Sequence, residues 1–525
     1  MSKRTRGAIS GALFFLALAW PSLGQIHAQD ATASITASEI REHIFFLASD
    51  ELGGRNTGEE GYLTAASYAA AQFLADGVAP GAVDAAGAPS FLQEIPFRRL
   101  SYGVGNAASL GHSGGTLSLE FGADYFVMAN RPGERVAVGG PMVFAGYGMV
   151  SADQAWDDLA GLDLAGSVPV VMFGRPGPDL TSAFPTEGRV DVWGEFQRKV
   201  LALEERGAVA VVAVLEPRNL GRWEMYSQNF SAPQLIQPGR SASSRFPDTN
   251  IPVLFLGPTA LEELFTGKGF NPASGEGEYS TFPLEGSRLE ALVQTQLEPV
   301  RAPNVVGMVE GTDPVLKNEY IVVGAHLDHV GIRNGEVYNG ADDNASGSVG
   351  VMEIAEAVAL APPKRSCIFV LYTGEERGIL GSGYFVANPP VPLDRIIANI
   401  NIEMIGRYDH RPLGTGGLFA IIGSSDDGGL RERVAVVNGR GFDYEWEIPE
   451  EFMGGSDHTA FHREGIPNIT VAASPPYGTH PDYHQPGDEA EKIDIGAMRK
   501  AVAFIFELTL ELANVGPGRS PSAPR

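Results

Sequence analysis

The chain has 525 residues, is 44% hydrophobic and carries a formal net charge of −26 at pH 7. Its composition is that of a folded protein, and its length exceeds that of one compact core, so two domains are expected. The negative charge argues against binding to nucleic acid or to an anionic membrane, and it is compatible with bound divalent cations. The single cysteine, Cys367, lies in the apolar run SCIFVLY and is interpreted as a buried core residue.

Residues 1–28 have the pattern of a secretory signal peptide. Lys3, Arg4 and Arg6 form a basic start, the apolar run Ile9–Trp20 follows, and small residues near positions 24 and 28 offer cleavage sites. The apolar run is shorter than a membrane span requires. We therefore predict a periplasmic or secreted protein with no membrane attachment after cleavage. An uncleaved membrane anchor is the alternative.

Helical periodicity marks residues 38–77, in which two helices flank the loop GGRNTGEEG, and a turn-rich β-like region follows to about residue 130. Residues 133–280 differ in character, with short β-like runs, loops and one helical run, FQRKVLALEERGA. The string DDLAGLDLAGSVPVV before that helix resembles a protease-associated domain, which implies an inserted β-rich domain here. Residues 227–247 are predicted to form a long loop, and residues 515–525 a disordered tail.

Strand-like and helix-like patterns alternate from residue 300 onward. Five apolar runs predict strands at Tyr320–Ala325, Cys367–Thr373, Ile397–Ile402, Leu418–Ile422 and Asn468–Ala472. Helical periodicity occupies Ser348–Ala361 and Ile493–Leu512. Near-continuous apolar strands between amphipathic helices are typical of an α/β sheet that is covered by helices on both faces.

Five polar segments lie at or near the ends of these strand-like runs. They are GAHLDHVG at 324–331, GADDNASG at 340–347, GEE at 374–376, NIEM at 401–404 and DYH at 482–484. The carboxyl ends of strands form the edge at which α/β folds place their active sites. Imidazole and carboxylate groups without a thiolate suit Zn²⁺ first, with Mn²⁺ or Co²⁺ as substitutes. The segments therefore predict a two-metal hydrolytic site.

In this order, the five segments resemble those of the co-catalytic di-zinc aminopeptidase family, whose relatives include secreted bacterial aminopeptidases, glutamate carboxypeptidase and the glutaminyl cyclases. The resemblance implies the zinc exopeptidase fold, a mixed, mostly parallel sheet with helices on both faces. It also implies two bound Zn²⁺ ions. Residues 34–130 and 300–513 are accordingly assigned to the catalytic domain, and residues 133–280 to the inserted protease-associated domain.

The family's pattern, carried over position by position, implies five metal ligands. One ion is assigned to His326 and Glu403, and the other to Glu376 and His484. Asp343 is assigned to both ions, because one carboxylate can bind two cations through its two oxygens. Many aminopeptidase relatives carry aspartate at the position of Glu403, which leaves the fine substrate class open.

Two of these assignments have competitors close by in the sequence. Asp342 directly precedes Asp343, and His480 lies four residues before His484. The family's register favours the second residue of each pair. His329 is interpreted as a neighbour of the site rather than as a ligand.

Three further residues are assigned to the chemistry. Adjacent side chains in an extended chain point in opposite directions, so one of two neighbouring glutamates can face a metal while the other faces the substrate. The family's register implies that Glu376 is the ligand and that Glu375 is the general base. Tyr483 matches a hydroxyl that stabilises the oxyanion. Asp328 can hold an imidazole or another ligand in its orientation without binding a metal itself. For Asp488, orienting a ligand and capping the following helix remain alternatives.

Two other motifs are set aside. The sequence GHSGG at 111–115 fits a nucleophile motif but lacks the strand-then-helix context, so a turn is predicted. The sequence Ser-Asp-His at 456–458 cannot form a catalytic relay from adjacent residues, and it is interpreted as a wall of the substrate cleft.

We predict a secreted zinc metallopeptidase, favouring an aminopeptidase that uses a metal-activated water to release N-terminal residues from peptides. Glutaminyl cyclase-like activity, and dipeptidase or carboxypeptidase activity, are alternatives on the same fold. A non-catalytic receptor-like ectodomain is the alternative from another class. The preferred residue and the oligomeric state are not predicted.

Overall fold

The protein is represented by a computed structural model that describes residues 31–102, 105–128, 134–152, 154–177, 192–237, 249–408, 419–422, 429–442, 444, 454–473 and 480–516. The predicted signal peptide and residues 517–525 of the predicted tail lie outside these ranges. Within them, no helix combines the length and the apolar character needed to cross a membrane.

The α-helices are α1 (Ala37–Leu47), α2 (Glu60–Ala75), α3 (Val192–Glu205), α4 (Pro217–Leu220), α5 (Trp223–Ser231), α6 (Pro258–Phe265), α7 (Gly347–Leu360), α8 (Leu380–Ala387), α9 (Leu430–Asn438), α10 (His458–Arg463) and α11 (Ile495–Val515). Short 3₁₀ turns occupy Asp50–Arg55, Leu316–Asn318, Leu393–Arg395 and Ala490–Lys492, and a wide helical turn occupies Ala341–Ser346.

The first sheet contains β1 (Ala79–Pro80), β4 (Leu92–Gln93), β19 (Asn304–Val309), β20 (Tyr320–His326), β23 (Ser366–Tyr372), β24 (Ile396–Glu403), β25 (Phe419–Ile422) and β26 (Asn468–Ala472). The second sheet contains β5 (Phe97–Tyr102), β6 (Ala107–His112), β7 (Gly115–Leu119), β8 (Tyr125–Met128), β9 (Arg135–Phe144), β12 (Val168–Met172), β13 (Val211–Val214), β14 (Gln234–Ile236), β15 (Val253–Leu256) and β18 (Phe282–Val300). Four two-stranded pairs complete the strands: β2 (Ala82–Val83) with β3 (Pro89–Ser90), β10 (Val150–Ser151) with β11 (Trp156–Asp157), β16 (Phe270–Asn271) with β17 (Glu276–Gly277), and β21 (Gly331–Arg333) with β22 (Glu336–Tyr338).

The first sheet is parallel at its centre and antiparallel at its edges. Its strand order is β1-β19-β23-β20-β24-β26-β25, and β4 also pairs with β19. The pairs β23–β20, β20–β24 and β24–β26 are parallel, whereas the pairs formed by β19 with β23 and by β25 with β26 are antiparallel. The carboxyl ends of the four central strands therefore lie along one edge.

Helices cover both faces of this sheet, as the sequence predicts. On β23, Cys367, Phe369 and Leu371 belong to one apolar core, and the intervening Ile368 and Val370 belong to another. The first core also takes in residues of α1, α2, α7 and α11, and the second takes in residues of α8 and α10. The alternation follows from the two-residue period of a strand that is buried on both sides.

The second sheet has its own apolar core, which is built from residues between Ala108 and Val293. The strand β18 is 19 residues long and pairs with β5, β6 and β9. The sequence GHSGG forms the turn of the β6–β7 hairpin, in which His112 pairs with Gly115, so the predicted turn is confirmed. The predicted long loop at 227–247 is wrong in part, because α5 and β14 occupy Trp223–Ser231 and Gln234–Ile236.

The N-terminal helices pack on the first sheet. Thr36 caps α1 by accepting a hydrogen bond from the backbone N–H of Glu39, at 3.2 Å. The buried residues Ile40, Ile44 and Leu47 then recur at helical spacing and join the first core. In the loop that follows, Gly54 has a φ of 68°, and a Cβ there would lie 2.3 Å from the carbonyl oxygen of Tyr338. Only glycine allows the backbone of this loop to pass so close to β22.

Candidate metal centre

Three parallel strands deliver polar side chains to one edge of the first sheet. His326 is the last residue of β20, Glu403 is the last residue of β24, and Glu376 follows the end of β23. Asp343 lies in the turn Ala341–Ser346, between β22 and α7. Because these strands are neighbours, their terminal side chains converge on one place.

The first group of candidate ligands consists of His326, Asp343 and Glu403, which offer ligand atoms within 4.8 Å of one another. The Nε2 atom of His326 lies 3.1 Å from Oε1 of Glu403 and 3.4 Å from Oδ1 of Asp343. The other ring nitrogen, Nδ1, is 3.0 Å from the carbonyl oxygen of Asp328. A hydrogen bond donated there by Nδ1–H leaves the Nε2 lone pair free to bind a cation.

The second group shares Asp343 and adds Glu376, His329 and His484. The Nε2 atom of His484 lies 3.1 Å from Oδ2 of Asp343 and 3.0 Å from Oε1 of Glu376. The Nδ1 atom of His329 lies 3.0 Å from the same Glu376 oxygen and 3.8 Å from Oδ2 of Asp343. Asp343 thus presents one carboxylate oxygen to each group, as expected of a bridging ligand.

The ligand atoms of the second group lie close together but do not form hydrogen bonds of good geometry with one another. Nδ1 of His329, Oε1 of Glu376 and Oδ2 of Asp343 are buried, yet among the described residues none of them has a hydrogen-bond partner of good geometry. Buried polar atoms are normally paired, so such close and unpaired atoms indicate lone pairs that point at a common centre. This arrangement, with only nitrogen and oxygen donors, fits a zinc-type cation.

The electrostatics of the cluster are those of imidazoles embedded among carboxylates. Burial alone would lower the pKa of His326, but the nearby carboxylates of Glu403 and Asp343 raise it well above its usual value. Burial would likewise raise the pKa of Asp343, but His326 and His484 hold it well below its usual value. The carboxylate of Asp343 therefore stays ionised, which is the state that binds a metal, whereas a metal bound at His326 would have to displace a proton from the imidazole.

Glu375 has a different environment from that of Glu376. It lines the cleft beside both groups of candidate ligands, and burial raises the pKa of its carboxyl group well above the usual range. The negative charges of Asp457, Glu403 and Glu376 act in the same direction, whereas His326 opposes them. A carboxyl group with a raised pKa that faces the cleft suits a proton-transfer role.

Asp328 supports the loop that carries both glutamates. Its carboxylate accepts hydrogen bonds from the backbone N–H groups of Glu375, at 3.1 Å, and Glu376, at 3.3 Å, and from the hydroxyl of Thr57, at 2.9 Å. Asp328 therefore positions the backbone of Glu375 and Glu376, which follow the end of β23. Its backbone carbonyl, rather than its carboxylate, contacts the imidazole of His326.

Asp342 and His480, which compete for ligand roles in the sequence, contact each other rather than the candidate ligands. Asp342 accepts hydrogen bonds from the backbone N–H of Gly406 and the hydroxyl of Ser346, and its other oxygen lies 3.2 Å from Nε2 of His480. Asp488 accepts hydrogen bonds from the backbone N–H groups of Asp342 and Asp343. It therefore fixes the turn that carries Asp343, which resolves the two alternatives in favour of orienting a ligand.

The cleft above the candidate ligands has a wall formed by the predicted Ser-Asp-His segment. Gly454, Gly455, Ser456 and His458 line it, as does Tyr483, whose ring stacks on that of His484 with centroids 4.0 Å apart. The Ser456 hydroxyl donates a hydrogen bond to Glu403, at 2.6 Å. Ser456 thereby fixes the orientation of a candidate ligand while it forms part of the cleft wall.

Sequence reasoning missed the residues that hold the site from below. Arg55 is fully buried, and its guanidinium donates to the carbonyl oxygens of Leu327, Leu47, Asn339 and Gly340. It thus connects the loops that carry the ligands of β20 and of the Ala341–Ser346 turn. The dipeptide GR in LASDELGGR was visible, but nothing local indicated that the arginine is buried. His329, the second histidine of the HLDHVG motif, is predicted to be a neighbour of the site, and the structure places its Nδ1 atom 3.0 Å from Oε1 of Glu376.

Known proteins are similar to the part of the chain that carries the candidate ligands. Residues 304–509 match the model of peptidase family M28. A probable leucine aminopeptidase from Trichophyton verrucosum is 26% identical over 239 residues, which are 44% of this chain and 62% of that protein. A probable leucine aminopeptidase 2 from Aspergillus oryzae is 31% identical over 169 residues, which are 31% of this chain and 32% of that protein. The chain thus spans less than two thirds of the length of these curated relatives.

Two solved structures resemble nearly the whole chain. One is an aminopeptidase from Aneurinibacillus sp. strain AM-1, with a TM-score of 0.58 and 20% sequence identity. The matched part is 95% of this chain and 99% of that protein. A zinc aminopeptidase from Bacillus subtilis gives a TM-score of 0.51 at 19% identity and covers 91% of this chain and 95% of its own. The likeness confirms the predicted fold class, a mixed α/β sheet with helices on both faces and a separate β-rich region.

Proposed function

We propose that the protein is a zinc metallopeptidase that releases residues from the N-terminus of peptides, because residues 304–509 match the model of peptidase family M28. The observation that carries this proposal is the buried cluster of histidine and carboxylate side chains whose lone pairs converge without partners. The leucine aminopeptidases among its relatives support the reaction class. The zinc aminopeptidase of similar fold supports the metal.

We further propose that two zinc ions are bound. His326 and Glu403 would hold one ion, and Glu376 and His484 the other, while Asp343 would bridge them. His329 is a further candidate ligand for the second ion, because it lies as close to Glu376 as His484 does. When bound, the ions would supply Lewis-acid polarisation of the scissile carbonyl and would acidify the attacking water.

The residues of this chain perform the remaining steps. The carboxylate of Glu375 accepts a proton from the attacking water and later donates it to the leaving amine nitrogen. The hydroxyl of Tyr483, whose pKa burial raises, stays protonated and can donate a hydrogen bond to the carbonyl oxygen as negative charge develops there. Asp328 holds the backbone of Glu375 in place through its hydrogen bond to the N–H group.

A panel of substrates tests the proposed activity. Aminoacyl chromogenic amides should be cleaved by the zinc-loaded protein, and the same amides with an acetylated amino group should not. A peptide that begins with glutamine and a set of dipeptides belong in the same assay, because cyclisation or dipeptide cleavage would point to the alternative activities. Cleavage of acetylated and free substrates at equal rates would contradict an aminopeptidase. The absence of any turnover at full zinc occupancy would favour the receptor-like alternative.

A further inference from the structure

A second pocket of titratable side chains lies away from the proposed catalytic centre, between α1, α2 and α7. Its walls carry the carboxylates of Glu39 and Glu42 from α1, Asp76 from the end of α2, and Glu353 and Glu356 from α7. The pocket has a volume of about 190 Å³, enough for an ion and several waters. None of the described residues that line it is lysine or arginine.

Glu353 distinguishes this pocket from a patch of exposed acidic side chains, because its carboxylate is buried. Its side chain is only 2% exposed, it lines the pocket, and its Oε2 atom has no hydrogen-bond partner in the described part of the chain. His43 is a basic group within ion-pair distance, and its Nε2 lies 3.7 Å from the other carboxylate oxygen. That imidazole is already hydrogen-bonded to Tyr68, and burial lowers its pKa. His43 is therefore a poor source of the missing positive charge.

The geometry around Glu353 matches a hard cation. Ligand oxygens of Glu39, Glu353 and Glu356 all lie within 4.8 Å of one another. Oxygens that share one Ca²⁺ at 2.3–2.6 Å can be at most about 5 Å apart, and carboxylates with waters are the ligands that this ion prefers. Glu42 and Asp76 add oxygens at the rim of the same pocket.

We propose that this pocket is a structural Ca²⁺ site that joins the N-terminal helices α1 and α2 to α7. The three carboxylates that are close enough to share the ion come from α1 and α7, and Asp76 places the end of α2 beside them. The helix α7 begins directly after the turn that carries Asp343. A bound cation would neutralise like charges that otherwise repel one another and would fix α1 against α7.

Calorimetric titration of Ca²⁺ into the zinc-saturated full chain, in a buffer freed of divalent cations, tests the proposal. We expect about one Ca²⁺ to bind per chain and to raise the Tm by a few degrees, because it stabilises only the folded state. Mg²⁺ should bind more weakly, because it demands a smaller octahedral site and releases its waters reluctantly. Catalytic activity is not the readout, so the result is independent of the proposed peptidase function.

The variants Glu353→Gln and Glu356→Gln should lose the calcium-dependent rise in Tm and the heat of binding while their zinc content stays unchanged. Glu432→Gln, at an exposed position on α9, is the matched control and should bind Ca²⁺ as the parent protein does. If the buried Glu353→Gln variant fails to fold, the half-buried Glu356→Gln variant still decides the question. Absence of Ca²⁺ binding by the parent chain, or unchanged binding by a folded variant, would overturn the proposal.

Discussion

Glu375 and Glu376 are neighbours in sequence, yet their surroundings give them opposite proton affinities. Burial raises the pKa of Glu375. Burial and the charge of Asp343 would also raise the pKa of Glu376, but His329 and His484 lower it to about 2. One residue is therefore prepared to carry a proton and the other to remain an anion, which are the roles of a base and of a metal ligand.

Glu375→Gln should keep both of the proposed zinc ions and lower kcat by about 10²–10⁴-fold, because the amide preserves the shape of the site but cannot accept a proton. Glu376→Gln should instead lose zinc from one site, and added zinc should partly restore its activity. Metal analysis and kcat, measured on both variants in one buffer, check the pair. Loss of zinc from Glu375→Gln alone would show that the two roles are exchanged.

His329 and His480 lie outside the predicted ligand set, and substitutions can distinguish their roles. His329 contacts Glu376, whereas His480 contacts Asp342 behind the site. We expect His329→Asn to weaken the binding of the second zinc ion by about 10- to 100-fold. His480→Asn, the matched control, should leave the zinc affinity within a few-fold of that of the parent. Competition with a fluorescent zinc chelator measures both affinities, and equal effects would contradict the distinction.

Among the elements, the loop Asp50–Arg55 depends on a single buried side chain. Arg55 donates hydrogen bonds to carbonyl groups of three separate segments, and its pKa, although burial lowers it to about 10, keeps it charged at neutral pH. Replacing this arginine removes the donors and leaves the carbonyl groups buried. Each unsatisfied buried group costs about 1–3 kcal/mol.

Arg55→Met should therefore lower the free energy of unfolding by more than about 2 kcal/mol, because methionine fills the space but donates no hydrogen bond. Arg41→Met, at an exposed position on α1 where the guanidinium lies over Phe45, should change it by less than about 1 kcal/mol. Urea unfolding followed by tryptophan fluorescence and by circular dichroism compares the two variants. A small effect at Arg55 would mean that water replaces the lost donors.

The elements of the first sheet were predictable because their signals are local. The apolar run Tyr320–Ala325 matches β20 to within one residue, and Asn468–Ala472 matches β26 without a difference. The convergence of His326 and Glu403 followed from their positions at strand ends. The contacts of Arg55 span more than 270 residues for Leu327, so no local pattern could reveal them. The helix α5 lacks a long apolar stripe, which explains why a loop was predicted there.

For the whole molecule, export remains a proposal that rests on the sequence of residues 1–28. Three basic residues before an apolar run predict that the secretion machinery removes this segment. N-terminal sequencing of the protein recovered from the producing cells should give a start between about Gly24 and Asp30. A membrane-bound species that retains Met1 would support the alternative, an uncleaved anchor.

The acidic pocket should also make the stability of the whole protein depend on pH. Burial, followed by neighbouring carboxylates, raises the pKa of Glu353 to about 9 and that of Glu356 to about 7. A carboxyl group whose pKa is raised by folding contributes stability at pH values below its unfolded pKa and loses it as the pH rises through the folded value. Other titratable groups face the same pocket: Glu39, Glu42, His43, Tyr68 and Asp76.

Without divalent cations, the difference in Tm between the parent and Glu353→Gln should therefore shift in favour of the variant as the pH rises from about 6 to about 9. Glutamine stays neutral throughout, whereas Glu353 must ionise while it is buried beside other carboxylates. Burial lowers the pKa of His43, so the titration of His43 acts in the opposite sense. Thermal unfolding at several pH values measures the difference, with Glu432→Gln as the control. Saturating Ca²⁺ should restore the parent's Tm at high pH, because an ion held by Glu353 favours its charged form. A difference in Tm that does not change with pH would contradict a buried carboxyl group whose pKa is raised.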